Sequence, residues 1–481
     1  REFCHRHLEA ILDEYDGTGP YPIPLKYSMD NLTITEQLDV IVEKQFYTPW
    51  LSETMEEKQT LDGLNLDTVN MCNGGSRYVY CILLLLLLLL RRVEDFLNVV
   101  VPKGKMAAKH SASAPYHIFY TTITAAKETH CQPYSITFQE ILDRSLGELK
   151  CSLQINFMVE IGWLLAQYYF AGYRLSFYLF SLNFLMVLCY EDGSLRVVVS
   201  TANLYIDDWE NRTQGLWFSP RCPELPATAM PHDGESPTMF KRALLRYLSH
   251  YHSPALSYYV ERVKRCDFSH INVFLVASVP GSHFDMDWGM TRVGTLLRQH
   301  CAIPANGYGG RGSNLYFFAA LVPLYRLIMI VFFFFLENVQ HSHDGLLGGG
   351  CLPYAASAHT KQPWLNDYLY QWRARSTGRD RAMPHIKCYT RVSPDNQHAG
   401  YYLLTSGNIS KAAWGSINKG NAALRIMSYE AGVLFLPRFV INEDLFPLQR
   451  NSKNRLILPY DVPPTKYTKE MSPWVSDYLC G

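Results

Sequence analysis

The fold of this chain is indicated by a pattern that occurs twice, VVSTANLYIDDW at 198–209 and LLTSGNISKAAW at 403–414. When Asn203 is set on Asn408, both copies have two apolar residues, a Ser/Thr pair, a small residue, the Asn, a Leu or Ile, and a later Trp. Agreement at this many positions indicates an internal duplication. We therefore expect two related halves, each with a strand that ends in polar residues and an Asn where the strand meets a helix.

Around the two copies, short apolar runs alternate with amphipathic stretches. Strands are predicted at 116–124, 195–200, 271–277, 401–405 and 433–436. Residues 136–149 (ITFQEILDRSLGEL) have apolar side chains at helical spacing and predict an amphipathic helix. This alternation of strands and helices predicts an α/β fold.

The composition is that of a globular protein. Of the 481 residues, 48% are hydrophobic and 18% are charged, which excludes a disordered, collagenous or coiled-coil chain. Lys and Arg together number 44, as do Asp and Glu, so the bulk charge argues for no polyanionic partner but leaves room for a local basic groove. The 12 cysteines include no C-x-x-C pair, which argues against a zinc ribbon or a dense disulfide scaffold and favours reduced intracellular thiols.

Three apolar runs, 82–90, 175–190 and 315–336, raise the question of a membrane span. The first is much shorter than the ~20 residues that a span needs, and the second is borderline in length. The third contains Arg326, and an arginine near the middle of a bilayer costs ~2.5 kcal/mol or more. We therefore expect no membrane span. The leucine run at 83–90 and the phenylalanine run at 332–335 are typical of translated pyrimidine-rich, intron-like DNA.

Candidate catalytic residues lie upstream of the second copy, in the sequence PHIK at 384–387. His385 and Lys387 are two apart, so on a strand their side chains point to the same face, and Asn408 follows at the end of the next strand. The Lys can hold a phosphate oxygen, the Asn can donate a further hydrogen bond, and the imidazole can attack phosphorus or shuttle a proton. An isolated H-x-K is a weak signal, and the duplicated Asn pattern supports it here.

The motifs around these residues resemble the tyrosyl-DNA phosphodiesterase family, HKD-type members of the phospholipase D superfamily. In the second half they are AMPHIK (382–387), TSGNISKAAWG (405–415) and SYEAGVLFLP (428–437). In the first half they are SLQINFMVEIGWLL (152–165), YEDGSLRVVVSTANL (190–204) and DDWENRTQGLWFSP (207–220). The resemblance covers about residues 113–474, with gaps, and the first 105 residues lie outside it.

The resemblance implies two similar phospholipase D-like domains, each a mixed β-sheet flanked by helices, with the active site at their junction. It implies a DNA-repair hydrolase of the nucleus that removes 3′-phosphotyrosyl and other 3′ adducts, including topoisomerase-derived peptides, from single- and double-stranded DNA through a phosphohistidine. It implies no metal or cofactor, because Lys and Asn supply the charge stabilisation, and we expect a monomer. The implied organisation is an N-terminal region at 1–105, a first half at 106–270 and a second half at 271–481.

Seven residues match positions of the family's site by motif. They are His385 (proton donor and acceptor), Glu430 (the carboxylate that orients His385), Lys387, Asn408 and Asn203 (substrate binding), Ser410 (contact to the DNA backbone) and Gln214 (support of the first-half site).

The first-half H-x-K motif is missing. Counting back from Tyr190 puts Leu182 at the His position and Phe184 at the Lys position, and no lysine occurs from Cys151 to Phe240. Because the first-half His is the family's nucleophile, we expect this chain to bind DNA ends without turnover. Two explanations stay open, an intron-like stretch in place of the motif and a true loss. The alternative functions are a catalytically dead DNA-end-binding paralogue and another phospholipase D-type phosphodiesterase that acts on lipid or RNA ends.

Overall fold

The described part of the chain comprises residues 98–173, 177–180, 185–230, 232–301, 314–317, 329–333, 335–352, 354–418, 420 and 422–479 of a computed structural model. The leucine run at 83–90, most of the predicted N-terminal region, and Leu182 and Phe184 lie outside these residues. Within the described ranges, no helix has both the length and the apolar character that crossing a membrane requires.

The chain divides into two compact units. One consists of Arg1–Leu97 with Glu160–Leu179, and the other of Asn98–Val159 with Phe180–Gly481. Both predicted halves contribute most of their described residues to the second unit, and the predicted boundary at 270 stays a prediction.

The helices are short. The α-helices are α1 (Met106–Ala112), α2 (Phe138–Ile141), α3 (Ile161–Phe170), α4 (Ile206–Glu210), α5 (Phe240–Ser249), α6 (Ser257–Lys264), α7 (Gly289–His300), α8 (Leu336–Gln340), α9 (Ala356–His359), α10 (Lys411–Trp414) and α11 (Pro437–Val440). Short 3₁₀ segments occupy Lys127–Thr129, Arg144–Leu146, Pro254–Leu256, Gly345–Gly349, Pro363–Tyr368, Arg375–Thr377 and Ser476–Leu479.

The strands alternate with these helices, which confirms the predicted α/β class. They are β1 (Ile118–Thr121), β2 (Ser135–Ile136), β3 (Leu149–Ile155), β4 (Phe177–Phe180), β5 (Leu185–Tyr190), β6 (Leu195–Ser200), β7 (Gly215–Phe218), β8 (Phe274–Ser278), β9 (Gly281–His283), β10 (Asn314–Phe317), β11 (Met329–Phe333), β12 (Leu369–Gln371), β13 (Cys388–Val392), β14 (His398–Thr405), β15 (Ser416–Ile417), β16 (Leu424–Ile426), β17 (Glu430–Phe435) and β18 (Phe446–Pro447).

Two mixed sheets dominate the second unit. In the first, the strands of this unit lie in the order β2-β1-β7-β6-β5-β3, with β1 and β2 parallel and the other neighbours antiparallel. The second has the order β12-β11-β10-β13-β14-β17-β8, parallel among the first three strands and antiparallel beyond them. Strands β9, β16 and β15 form a small antiparallel sheet. The central strands β5, β6 and β7 are buried on both faces, as their apolar, β-branched sequences predict.

The duplicated sequence pattern corresponds to a duplicated structural unit. Strand β6 leads through Asn203 to α4 and returns as β7, while β14 leads through Asn408 to α10 and returns through the small sheet as β17. In the first copy Ser200 of β6 pairs with Leu216 of β7, and in the second copy Thr405 of β14 pairs with Gly432 of β17. The return strands are therefore in the same register relative to the two Asn residues.

The predicted helix at 136–149 is wrong over most of its length. Thr137 caps α2 through a capping box with Glu140, but this helix ends at Ile141. The Asp143 side chain then accepts the amide of Ser145 (2.8 Å) and starts a separate 3₁₀ turn. At the end of that turn the backbone of Gly147 has φ +136°, and strand β3 follows. Local capping by polar side chains therefore overrides the apolar periodicity.

Candidate active site

The segment that contains His385 bridges the two halves. The carbonyl oxygen of Thr213, just before β7, accepts the backbone amides of His385 (3.0 Å) and Ile386 (2.9 Å). Two residues later, the carbonyl oxygen of Lys387 accepts the amide of Thr405 at the end of β14 (3.0 Å). The H-x-K segment therefore has a defined backbone position between the start of a first-half strand and the end of a second-half strand.

The imidazole of His385 is held through its Nδ1 atom. Nε2 of Gln214 lies 2.8 Å from Nδ1. The orientation of the Gln214 amide follows from Thr201, whose hydroxyl accepts the amide of Gly215 (3.0 Å) and donates to Oε1 of Gln214 (2.7 Å). Nε2 of Gln214 is therefore the atom that faces Nδ1, and Nε2 of the ring is the atom that is left available to substrate.

A buried carboxylate that the sequence reasoning missed completes this arrangement. Oδ2 of Asp208 lies 3.2 Å from Nδ1 of His385 and accepts from the backbone amide of Asn203 (2.7 Å) and from its Nδ2 (2.9 Å). Burial alone would raise the pKa of Asp208, but His385 and the hydrogen bonds from Asn203 hold it below its ordinary value. Asp208 is part of the sequence DDW in the first copy of the duplicated pattern. That pattern indicated only that a helix starts there, not that Asp208 contacts His385.

Two opposing influences act on His385. Burial lowers its pKa below the ordinary value, and the cationic Lys387 and Arg212 lower it further, whereas Asp208 raises it. The side chain remains 18% exposed, so one edge of the ring is accessible. A protonated ring with an accessible Nε2–H is a suitable general acid for an oxyanion leaving group.

Lys387 and His385 lie just before β13, which begins at Cys388, so the two residues are not on a strand as the spacing argument assumed. The side chain is 4% exposed, and its Nζ donates to the carbonyl oxygen of His385 (2.6 Å). Burial lowers the pKa of Lys387 to about 8, opposed by the charges of Asp208 and Glu430. A buried ammonium with further N–H groups to offer is suited to holding a phosphate oxygen.

Glu430 occupies in the second half the position that Gln214 occupies in the first. The hydroxyl of Ser406 accepts the amide of Ala431 (3.1 Å) and donates to Oε2 of Glu430 (2.5 Å). This repeats the arrangement of Thr201 and Gln214. Ser428 donates to the other carboxylate oxygen (3.0 Å). Burial raises the pKa of Glu430, against the hydrogen bonds from the two serines and the charge of Lys387.

The assignment of Glu430 as the residue that orients His385 therefore needs correction. His385 is held by Gln214 and Asp208, and Glu430 is bound by Ser406 and Ser428. Glu430 has the same position in the second copy as Gln214 has in the first. Because Gln214 of the first half contacts His385 of the second half, the equivalent contact of Glu430 would be to a residue of the first half. We therefore expect Glu430 to support the first-half motif position rather than His385.

Asn203 contacts the site through its hydrogen bonds to Asp208, and its side chain is 3% exposed. Its Oδ1 atom is buried, and none of the described residues provides it with a hydrogen-bond partner. Of the two N–H groups on Nδ2, one is used by Asp208 and the second remains for a substrate oxygen. The predicted substrate-binding role of Asn203 stays a prediction.

Asn408 and Ser410 lie at the start of α10. Asn408 is exposed, and its carbonyl oxygen accepts the amide of Ser410 (2.7 Å). The hydroxyl of Ser410 accepts the amide of Ala413 (3.1 Å) and so caps the helix. The cap leaves the hydroxyl proton of Ser410 free to donate. The predicted contacts of Asn408 to phosphate and of Ser410 to DNA stay predictions.

Comparison with known proteins identifies the family. A family model described as tyrosyl-DNA phosphodiesterase matches residues 117–176, 184–310 and 330–468. The whole chain is 41% identical to tyrosyl-DNA phosphodiesterase 1 of Drosophila melanogaster and covers 97% of that protein. The chain belongs to the tyrosyl-DNA phosphodiesterase family. Members of this family are phosphodiesterase hydrolases, so the predicted class of enzyme is confirmed.

More distant relatives and solved structures agree with this assignment. The chain is 30% identical to tyrosyl-DNA phosphodiesterase 1 of Arabidopsis thaliana, over 60% of this chain and 58% of that protein. A crystal structure of the yeast tyrosyl-DNA phosphodiesterase superposes with a TM-score of 0.57 at 15% identity, covering 74% of this chain and 98% of the yeast chain. At this identity the likeness concerns the fold alone.

The family match is interrupted at two places, 177–183 and 311–329. The first interruption contains Leu182 of the degenerate motif, and the match resumes at Phe184. The alignment with the Drosophila protein runs over 562 positions against the 481 residues of this chain, so the relative has residues that this chain lacks. The family model therefore leaves out residues 177–183 and matches the residues on both sides of them.

Proposed function

We propose that the site is that of a DNA-repair phosphodiesterase that removes 3′-phosphotyrosyl and related adducts from DNA, with the acid/base half intact in this chain. The observation that carries the proposal is the hydrogen bond to Nδ1 of His385 from Gln214, beside the buried ammonium of Lys387. The names of the Drosophila and Arabidopsis relatives support the choice of substrate. We also propose a nuclear location and topoisomerase-derived peptides as the adducts, because these follow from a repair role.

The geometry assigns each residue a step. Nε2–H of the protonated His385 ring donates its proton to the departing tyrosyl oxygen, and the resulting neutral ring can accept a proton from water at its bare Nε2 in the second step. Lys387 holds a phosphate oxygen and opposes the negative charge that develops on it. Asp208 stabilises the ring whenever it carries a positive charge.

The nucleophile is the missing part. Leu182 and Phe184 offer neither a nucleophilic atom nor a charge, and attack comes from the side of phosphorus opposite to the leaving group. His385 therefore cannot serve as both nucleophile and acid in one step. We accordingly propose that this chain binds DNA ends with little or no turnover, and that the double variant Leu182→His/Phe184→Lys recovers a trace of activity.

The test uses a 5′-labelled oligonucleotide with a 3′-phosphotyrosyl group. Release of the 3′-phosphate is measured with the purified chain, the double variant, and both of these with His385→Ala. We expect turnover only in the double variant, with loss of that turnover upon His385→Ala. Robust multiple turnover by the unaltered chain would show that another residue is the nucleophile.

A DNA-end-binding paralogue without catalysis is the second candidate, because the first-half motif is absent. Fluorescence anisotropy with 3′-phosphorylated and 3′-hydroxyl oligonucleotides distinguishes the two. A paralogue of this kind binds 3′-phosphorylated ends but gains no activity from the double variant. Equal or absent binding of the two oligonucleotides contradicts both candidates and directs attention to lipid or RNA substrates.

A further inference from the structure

Two cysteines lie directly opposite each other in the first sheet. Cys151 of β3 and Cys189 of β5 are register partners in an antiparallel pair. Both are free thiols, 8% and 1% exposed respectively. They are 38 positions apart in the chain, so the sequence spacing did not reveal them as a pair.

The backbone geometry of such a pair is compatible with a disulfide bond. Directly opposed residues in antiparallel strands have Cα atoms about 4.5 or about 5.5 Å apart. Disulfides bridge Cα atoms about 4.4–6.8 Å apart. The bond therefore requires no rearrangement of the strand pairing, only rotation of two small side chains.

The two thiols are chemically unequal. The thiol of Cys189 hydrogen-bonds the sulfur of Cys151, which lowers the pKa of Cys151 and raises that of Cys189. Tyr258 and the charge of Lys150 also favour the Cys151 thiolate. The hydroxyl of Tyr259 is already donated to the carbonyl oxygen of Ser152 (2.6 Å), so Tyr258 is the better placed phenol. The thiolate is the nucleophile in disulfide exchange, and Cys151 is also the more exposed of the two residues, so we assign Cys151 as the attacking residue.

Access also favours Cys151. Tyr258, which hydrogen-bonds its sulfur, is 41% exposed and lies on the outer helix α6. The nearby Cys222 and Cys266 are both 0% exposed, and burial raises the pKa of each thiol, that of Cys266 to about 11. They provide an internal comparison, because at these two thiols the effect of burial outweighs that of the neighbouring Arg196 and Arg262.

We propose that Cys151 and Cys189 form a redox modification site that is oxidised to a disulfide by low-molecular-weight disulfides such as glutathione disulfide. The Cys151 thiolate attacks one sulfur of glutathione disulfide, forms a mixed disulfide and expels a glutathione thiolate. Cys189 gives its proton to that thiolate and attacks Sγ of Cys151, which expels the second glutathione. Two protein thiols are thereby oxidised by two electrons, and one glutathione disulfide is reduced to two glutathione molecules.

A disulfide between Cys151 and Cys189 would cross-link two neighbouring strands of the first sheet. It would link β3 to β5, and β5 pairs with β6, the strand that leads to Thr201 and Asn203. Closing this link restricts the unfolded chain more than the folded one. We expect the oxidised protein to melt at a higher temperature than the reduced protein.

The experiment incubates the folded, full chain with glutathione disulfide, blocks remaining thiols with an alkylating reagent and digests with trypsin. Cleavage after Lys150, Arg174 and Arg196 puts Cys151 and Cys189 on separate peptides, each without another cysteine. We expect these peptides to appear linked, with the loss of two hydrogens, while Cys222 and Cys266 are recovered as alkylated thiols. The melting temperature of the same sample should rise and return upon reduction.

Three variants distinguish the mechanism. Cys189→Ser should stop at a mixed disulfide between Cys151 and glutathione, Cys151→Ser should leave Cys189 unreacted, and Tyr258→Phe should slow the first step. Cys131→Ser, which removes an exposed cysteine, is the matched control and should leave the linkage unchanged. Recovery of Cys151 and Cys189 as free thiols while Cys131 reacts, or a link from Cys189 to Cys266, would overturn the proposal.

Discussion

Oδ2 of Asp208 lies 3.2 Å from Nδ1 of His385, although the two residues are 177 positions apart. The same oxygen accepts both the backbone amide and the side-chain amide of Asn203. One fully buried carboxylate therefore links the Asn of the first half to the His of the second. It makes the charge state of His385 depend on a residue of the other half.

Replacing Asp208 should change the titration of His385. Because the carboxylate raises the pKa of the ring, Asp208→Asn should lower that pKa, so that the ring loses its positive charge at a lower pH. The imidazole C–H signals of His385 in an NMR titration measure the shift directly. Asp444→Asn, which removes an exposed carboxylate, is the control. An unchanged His385 titration in Asp208→Asn would remove Asp208 from the site.

Replacing His385 should remove leaving-group protonation. In the Leu182→His/Phe184→Lys background, His385→Ala should slow release of tyrosine by ~10²–10⁴-fold, the usual contribution of a general acid. A p-nitrophenyl leaving group needs less protonation and should show a smaller loss. His232→Ala removes an exposed histidine and serves as the control. Near-normal turnover of the tyrosyl substrate by His385→Ala would refute the assignment.

The affinity for a 3′-phosphate end should depend on pH through Lys387. Burial lowers the pKa of Lys387 to about 8, and only the protonated form attracts phosphate. Affinity should therefore fall as pH rises through about 8, as measured by fluorescence anisotropy. The measurements start above pH ~7, since a phosphate has its second pKa near ~6. Lys387→Met should bind weakly at every pH, and a fall of equal size in that variant would assign the titration to another group.

Glu430→Gln tests the corrected role of Glu430. Its charge raises the pKa of Lys387, so the variant should lower that pKa and move the loss of DNA-end affinity to lower pH. The NMR titration of His385 should stay unchanged, because Gln214 and Asp208 hold the ring. A large change at His385 with none at Lys387 would restore the original assignment.

Arg379 should be important for stability. Its guanidinium is fully buried and donates to Thr121 O (2.9 Å), Ser135 Oγ (2.7 Å) and Gln132 Oε1 (2.8 Å), so a second-half side chain satisfies first-half acceptors. Arg379→Met keeps the apolar stem but leaves these acceptors unpaired, and we expect a loss of about 3 kcal/mol in the free energy of unfolding. Urea unfolding measures it.

The control for this stability prediction is Arg438→Met. Arg438 forms an exposed ion pair with Asp444, and such pairs contribute ~0–1 kcal/mol. We expect its unfolding midpoint to stay close to that of the unaltered chain. Equal midpoints for the two variants would show that the hydrogen bonds of Arg379 are replaced by water.

Much of the site was recognisable in the sequence because its signals are local. The duplicated pattern correctly placed Asn203 and Asn408 between strand and helix. The family resemblance required only these short motifs. The prediction of one helix over 136–149 was wrong for a local reason too, because the capping side chains of Thr137 and Asp143 outweighed the apolar spacing.

The partner of each catalytic group was decided by tertiary structure. Sequence by itself determined the duplicated halves, the family, and the absence of a first H-x-K motif. It assigned Glu430 to His385, whereas the structure brings Gln214, just before β7, and Asp208, on α4, to that ring. The physical reason is that hydrogen bonds between strand ends more than 150 positions apart depend on how the sheets meet, and no local periodicity contains that information.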